Sequence, residues 1–353
     1  MNSEFKKPDV SRVLEQLKDF QRSTVDYVFK RMYLDQDCTT KFLVSDEVGL
    51  GKTLVARGVI AKTIDYLWDK VDRLDVVYVC SNGDIARQNI NRLNVTGEKD
   101  FSLSSRITLL PLQIRELQKK KLNFVSFTPG TSFDLKGNVG RSKERQLLYW
   151  LLKDFANFSF SKGTCFLAGQ VDIDRFRWDV ENFEVGDINA EIKTTFLQNM
   201  QNDTELTNRV REAIDLTPRA YGAWDGESRK RVNSAIGSLR KLLAETCLNK
   251  LEPDLIILDE FQRFKDLLQG EGEDASEAAI LAKELFEFQL RADDPATAAR
   301  VLMLSATPYK MYTVKQESEE NNHYEDFQKT IEFLMPKNRL VRFNDDLGNY
   351  RNS

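Results

Sequence analysis

The chain has 353 residues, 41% hydrophobic and 30% charged, with a formal net charge of −4. It has room for one large domain or two smaller ones, and it lacks the global basic field that would bind nucleic acid unaided, so any such contact must be local or completed elsewhere. No apolar run approaches a membrane span, and Cys38, Cys80, Cys165 and Cys247 include no Cys-x-x-Cys pair, which argues against a disulfide frame or a zinc site and for reduced thiols in a cytoplasmic protein.

In chain order, residues 10–32 carry apolar positions at helical spacing (Val13, Leu14, Leu17, Phe20, then Val25, Val28 and Phe29) and lead into a strand at Phe42. Residues 54–68 predict an amphipathic helix. Short apolar runs at 75–80, 107–110, 123–127, 164–168, 254–258 and 300–304 predict buried parallel strands, and the helical patterns between several of them give the βαβ alternation of an α/β fold with a parallel sheet. Residues 141–250 break that rhythm and predict a mainly helical insertion. One helix there carries Arg229, Lys230, Arg231, Arg240 and Lys241, most simply a solvated face and alternatively a nucleic-acid-facing one. Asp274 with Glu277 is expected to cap a helix over 275–289. A further helix is predicted over 324–334, beside the only histidine, His323, in a polar stretch.

Three segments carry chemistry. After the Phe42 strand comes Asp46-Glu47-Val48-Gly49-Leu50-Gly51-Lys52-Thr53, a glycine-rich turn opening a helix. Gly49 and Gly51 let the backbone approach phosphate oxygens, the helix N-terminus adds a positive dipole, Lys52 reaches the outer phosphates, and the Thr53 hydroxyl is suited to Mg²⁺. The apolar run at 255–258 delivers Asp259 and Glu260, one carboxylate suited to holding Mg²⁺ and the next to orienting and deprotonating water; an N-cap is the plainer use of such a pair. The run at 300–304 ends in Ser305, Ala306, Thr307 and Pro308, whose hydroxyls suit contact with the acidic segment or a simple Ser/Thr turn.

Together and in this order, the three segments resemble the superfamily 2 helicases and translocases, most closely their Swi/Snf-like branch. That branch's loop also starts with Asp. Asp259-Glu-Phe-Gln262-Arg-Phe-Lys265 is similar to its Asp-Glu-x-His/Gln segment, and Ser305-Ala-Thr307 to its coupling motif. The resemblance implies a RecA-like P-loop NTPase lobe that binds ATP and Mg²⁺: residues 1–140 and 251–335 form the lobe, 141–250 the insertion, and 336–353 a tail or the start of a linker to a second lobe.

It further implies the loop 46–53 and Gln21 as nucleotide contacts, Thr53 and Asp259 as metal ligands, and Lys52, Glu260 and Gln262 as catalytic groups. Ser305 and Thr307 would couple the site to movement. Ser81, Asn82, Thr128 and Gly130 would touch a nucleic-acid backbone, DNA being favoured over RNA. No second lobe with arginine fingers follows, so this lobe is expected to hydrolyse ATP slowly until a longer chain or a partner protein completes it. A nucleotide switch that ignores nucleic acid and a catalytically weak ATP-binding scaffold are the alternative readings.

Overall fold

A computed structural model describes residues 7–46, 49–96, 102–103, 106–135, 139–155, 158–169, 171–217, 225–268, 276–291, 293–306, 328–335 and 339–343. His323 and Asp274 lie outside the described residues. The chain divides into two compact units, one made of Met1–Leu103, Lys120–Thr131 and Glu252–Ser353, the other of Ser104–Lys119 and Ser132–Leu251.

The first unit is α/β. Its strands are β1 (Lys41–Ser45), β2 (Leu74–Cys80), β3 (Ser102–Leu103), β4 (Leu122–Phe127), β5 (Leu255–Asp259) and β6 (Arg300–Ser305). They form one sheet in the order β1-β6-β5-β2-β4-β3, with every pairing parallel. β2, β5 and β6 are buried along their whole length, which is why they read as unbroken apolar runs and not as alternation. Its helices include α1 (Val10–Glu15), α2 (Asp19–Phe29), α3 (Lys52–Leu67) and α4 (Gly83–Leu93).

Val13, Leu17, Val25, Val28, Val55, Ile60, Ile64 and Ile90 from these helices share one core with Val44, Val76, Tyr78, Ile257, Leu302 and Leu304 from the strands. Each fully buried aliphatic side chain contributes about 1.5–3 kcal/mol. The register aligns the strand ends: Ser45 lies beside Ser305, Asp259 beside both Leu304 and Cys80, and Val79 beside Phe127. All C-terminal ends therefore meet one edge.

The second unit is helical: α5 (Ile114–Gln118), α7 (Ser142–Leu152), α8 (Phe160–Leu167), α9 (Ile173–Glu181), α10 (Ala190–Asn202), α11 (Thr204–Leu216) and α12 (Gly226–Leu251), while α6 (Pro129–Ser132) is a single turn after β4. Two of the predicted strands take helical form instead. Residues 107–110 lie in a 3-10 helix, Ile107–Leu112, that contains Pro111, a residue unable to donate to a strand ladder. Residues 164–168 fall in and just after α8, which Ser159 caps by accepting from the Lys162 N–H. Gly163 through Leu167 are all buried there, and burial on every side erases helical periodicity from the sequence.

Arg240 corrects another expectation. It is fully buried and pairs with the equally buried Glu144 at 3.1 Å, while Arg229, Lys230 and Arg231 are exposed and Lys241 half-buried. Glu144 also accepts from Thr108 at 2.8 Å and from the Arg141 N–H at 2.7 Å, so its lone pairs are well used.

Back in the first unit, α13 (Glu277–Phe286) is capped by Ser276, which accepts from the Ala279 N–H at 3.1 Å. Residues 328–334 are helical, within the stretch whose spacing predicts a helix.

Candidate functional site

The glycine-rich turn runs from the end of β1 to the start of α3. Gly49 and Gly51 have φ of +93° and +87°, the left-handed region that other residues enter at a cost. Their surroundings differ. A Cβ on Gly49 would meet nothing within 4 Å, whereas one on Gly51 would lie 2.4 Å from Nε2 of Gln21. Gln21 is buried: its Nε2 donates to the Leu50 carbonyl at 3.0 Å and its Oε1 accepts from the Lys18 N–H at 3.1 Å. It thus braces the turn from α2, with both amide atoms engaged inside the protein.

Gly51 has no side chain to cap α3, whose first turn begins with the N–H groups of Lys52 and Thr53. Lys52 Nζ crosses the turn to donate to the Asp46 carbonyl at 2.9 Å. Thr53, the second residue of α3, is half-buried. Glu47, Val48 and Thr307 lie outside the described residues.

β6 joins this turn to the acidic segment. The Asp46 N–H donates to the Ser305 carbonyl at 3.2 Å, and the Glu260 N–H to the neighbouring Leu304 carbonyl at 3.0 Å. Lys52 is close enough for its charge to act on Asp259, so the loop, the acidic pair and Ser305 share one edge of the sheet. Glu260 has φ 52° and ψ 45°, a left-handed backbone that costs a residue with a Cβ about 1–2 kcal/mol. Strain of this kind gathers where a side chain must be aimed. Gln262 Nε2 donates to the Glu260 carboxylate. Two buried oxygens here, Ser305 Oγ and Gln262 Oε1, have no hydrogen-bond partner among the described residues.

Asp259 is the last residue of β5 and nearly buried. Burial holds its carboxyl above the usual carboxylate range, as does the Glu260 charge; hydrogen bonds from Tyr78 and Asn89 and the charge of Lys52 pull the other way. Tyr78 Oη donates to Asp259 Oδ2 at 2.5 Å, and Asn89 Nδ2 reaches the same oxygen at 3.2 Å and Tyr78 Oη at 3.0 Å. Tyr78 lies in a segment, 77–88, whose resemblance points to nucleic-acid backbone contact, and Asn89 just beyond it; neither is marked by the sequence as a partner of Asp259. One signal was present: a tyrosine inside the buried run of β2 needs a partner for its hydroxyl.

The four residues assigned to a nucleic-acid backbone follow the neighbouring strands β2 and β4. Ser81, Asn82 and Gly130 are exposed and Thr128 is half-buried. The two loops adjoin, since a Cβ on Gly83 would lie 3.9 Å from Thr128 Cγ2. The Asn82 side chain is committed as the cap of α4, accepting from the Asp84 N–H at 2.8 Å.

The donor set fits a nucleotide with a hard divalent cation: an open glycine cradle, a helix start opened by glycine, one ammonium, and hydroxyl and carboxylate oxygens from Thr53 and Asp259. Mg²⁺ is held in this way by one or two carboxylates, waters and substrate phosphates, without an all-protein cage. Among the described residues no cluster of three or more His, Cys, Asp or Glu forms a cage for a metal. No helix among them is long and apolar enough to cross a membrane. No family model, curated protein or solved structure matches this chain.

Proposed function

We propose that the first unit is the ATP-binding motor lobe of an ATP-dependent nucleic-acid helicase or translocase, of RecA-like P-loop type. The observation that carries this reading is the suspension of Asp46 and Glu260 from adjacent carbonyls of β6, which puts a glycine-rich turn and two carboxylates at one sheet edge. Open α/β sheets bind ligands at that edge.

On this reading Lys52 exchanges the Asp46 carbonyl for the outer phosphates, and the N–H groups of the turn and the first turn of α3 bind the inner ones. Thr53 and Asp259 hold Mg²⁺, which when bound neutralises charge on the phosphate oxygens. Glu260 receives the proton of the attacking water, and its bond from Gln262 fixes where the carboxylate points. Ser81, Thr128 and Gly130 grip a strand through its phosphates without reading sequence. On this reading efficient hydrolysis draws on an arginine from a second lobe, in a longer chain or a partner.

The test is titration of the whole chain with a fluorescent ATP analogue in the presence of Mg²⁺. Lys52→Ala should abolish binding; retention of micromolar or tighter affinity would overturn the nucleotide site. The motor reading further requires that single-stranded DNA raise ATP turnover once a second lobe is supplied. Turnover indifferent to nucleic acid would instead favour a nucleotide switch.

A further inference from the structure

The chain leaves β2 toward β3 and β4 on one side and leaves β5 toward β6 on the other, so the sheet's connections diverge between two hydrogen-bonded neighbours, β5 and β2. Asp259 ends β5 at this divergence, where α/β folds place their ligand crevices. Its Oδ2 is taken up by two donors from outside its own strand, Tyr78 on β2 and Asn89 on α4.

We infer that Tyr78 and Asn89 are positioning residues: they fix the rotamer of Asp259 through Oδ2 and leave Oδ1 as the oxygen offered to a divalent cation. This rests on the nucleotide-site reading above and deepens it. Tyr78 is almost wholly buried; its oxygen accepts from Asn89 at 3.0 Å and its proton goes to Asp259, while Asn89 also donates to the same Asp259 oxygen. Converging both on one carboxylate oxygen is what holding a metal ligand requires, and removing such outer partners characteristically weakens metal affinity by about 10–100-fold.

The experiment measures the Mg²⁺ concentration at which the full chain reaches half its Mg²⁺-dependent gain in affinity for a fluorescent ATP analogue, alongside the affinity in EDTA. Tyr78→Phe deletes only an oxygen, and Asn89→Leu keeps volume while removing both donors. Each should raise the Mg²⁺ midpoint about tenfold while leaving the EDTA affinity unchanged. The double variant should be hardly worse than the poorer single one, since both act on one oxygen. Asn89→Asp, which sets a like charge beside Asp259, should shift the midpoint furthest.

Wild-type dependence on Mg²⁺ with unchanged midpoints in the variants would overturn the positioning role alone. A parallel fall in EDTA affinity would reduce the pair to scaffolding. A wild-type chain that binds the analogue with no Mg²⁺ effect, or not at all, would take down the nucleotide site as well.

Discussion

The two ends of the sheet in the first unit both bury aspartates, and they treat them differently. At the N-terminal end Asp75 is fully buried and its oxygens are consumed: Asn123 donates to Oδ1 at 2.9 Å and Arg73 to Oδ2 at 2.9 Å. Asp254 accepts from the Asp75 N–H at 2.8 Å, and the Asp254 N–H returns a bond to the Asp75 carbonyl at 3.0 Å. At the C-terminal end Asp259 has one oxygen doubly bonded, beside a strained Glu260, two left-handed glycines and two oxygens without a partner among the described residues. A closed network holds strands together. An open, strained one has capacity left for something that is not protein.

That contrast is sharpened most by pH. Burial pushes the Asp75 carboxyl up to about 6 and the Asp254 carboxyl up to about 7, the charge of each partner being secondary. The folded chain therefore keeps protons that the unfolded chain has lost. The stabilisation is fully present below about pH 4, the ordinary carboxylate range, and is lost as pH rises through those raised values. A tenfold gain in proton affinity on folding corresponds to about 1.4 kcal/mol, so this should be the largest single trend in the molecule's stability. Urea midpoints should fall between pH 5 and pH 8, and Asp254→Asn should flatten the fall. A midpoint that climbs over that range would contradict the assignment of both groups.

Next in size, substitutions at the two ends should part company. Asp75→Ala leaves the Asn123 amide and the Arg73 guanidinium without their carboxylate and should cost about 3 kcal/mol, read as a lower melting temperature. Asp259→Asn should change stability by less than about 1 kcal/mol, because Tyr78 and Asn89 remain bonded to each other, yet it should remove the Mg²⁺ dependence of nucleotide binding. Equal losses of stability at both positions would erase the distinction between a fastening and a site.

Much of the sheet could be read from the chain, and the reasons are physical. Strands buried on both faces, such as Leu74–Cys80 and Leu255–Asp259, show as continuous apolar runs bounded by polar residues. The same rule misassigned residues 164–168, because a helix buried all round writes the same signature. Arg240 was unreadable for another reason: its partner Glu144 is 96 positions away, and a charge on a helix reveals no distant counter-ion. At the candidate site the glycines and the acidic pair were visible as local motifs. The bracing of the turn by Gln21 and the holding of Asp259 by Tyr78 and Asn89 were not, since each joins segments that only the fold brings together.

The smallest effects separate the two glycines. Gly49 and Gly51 share nearly the same φ, so alanine at either should suffer a similar backbone penalty of about 1 kcal/mol. Only at Gly51 does the new Cβ meet Gln21 Nε2, at 2.4 Å, so the amide that bonds the Leu50 carbonyl has to shift to make room. Gly49→Ala should therefore weaken binding of the ATP analogue about fivefold and Gly51→Ala tenfold or more, with circular dichroism unchanged in both. If the difference is the brace, then Gln21→Ala alone should already show most of the extra loss, and Gly51→Ala combined with Gln21→Ala should be no worse than Gly51→Ala. Strict additivity of the two would mean that Gln21 acts on the nucleotide directly and not through the shape of the turn.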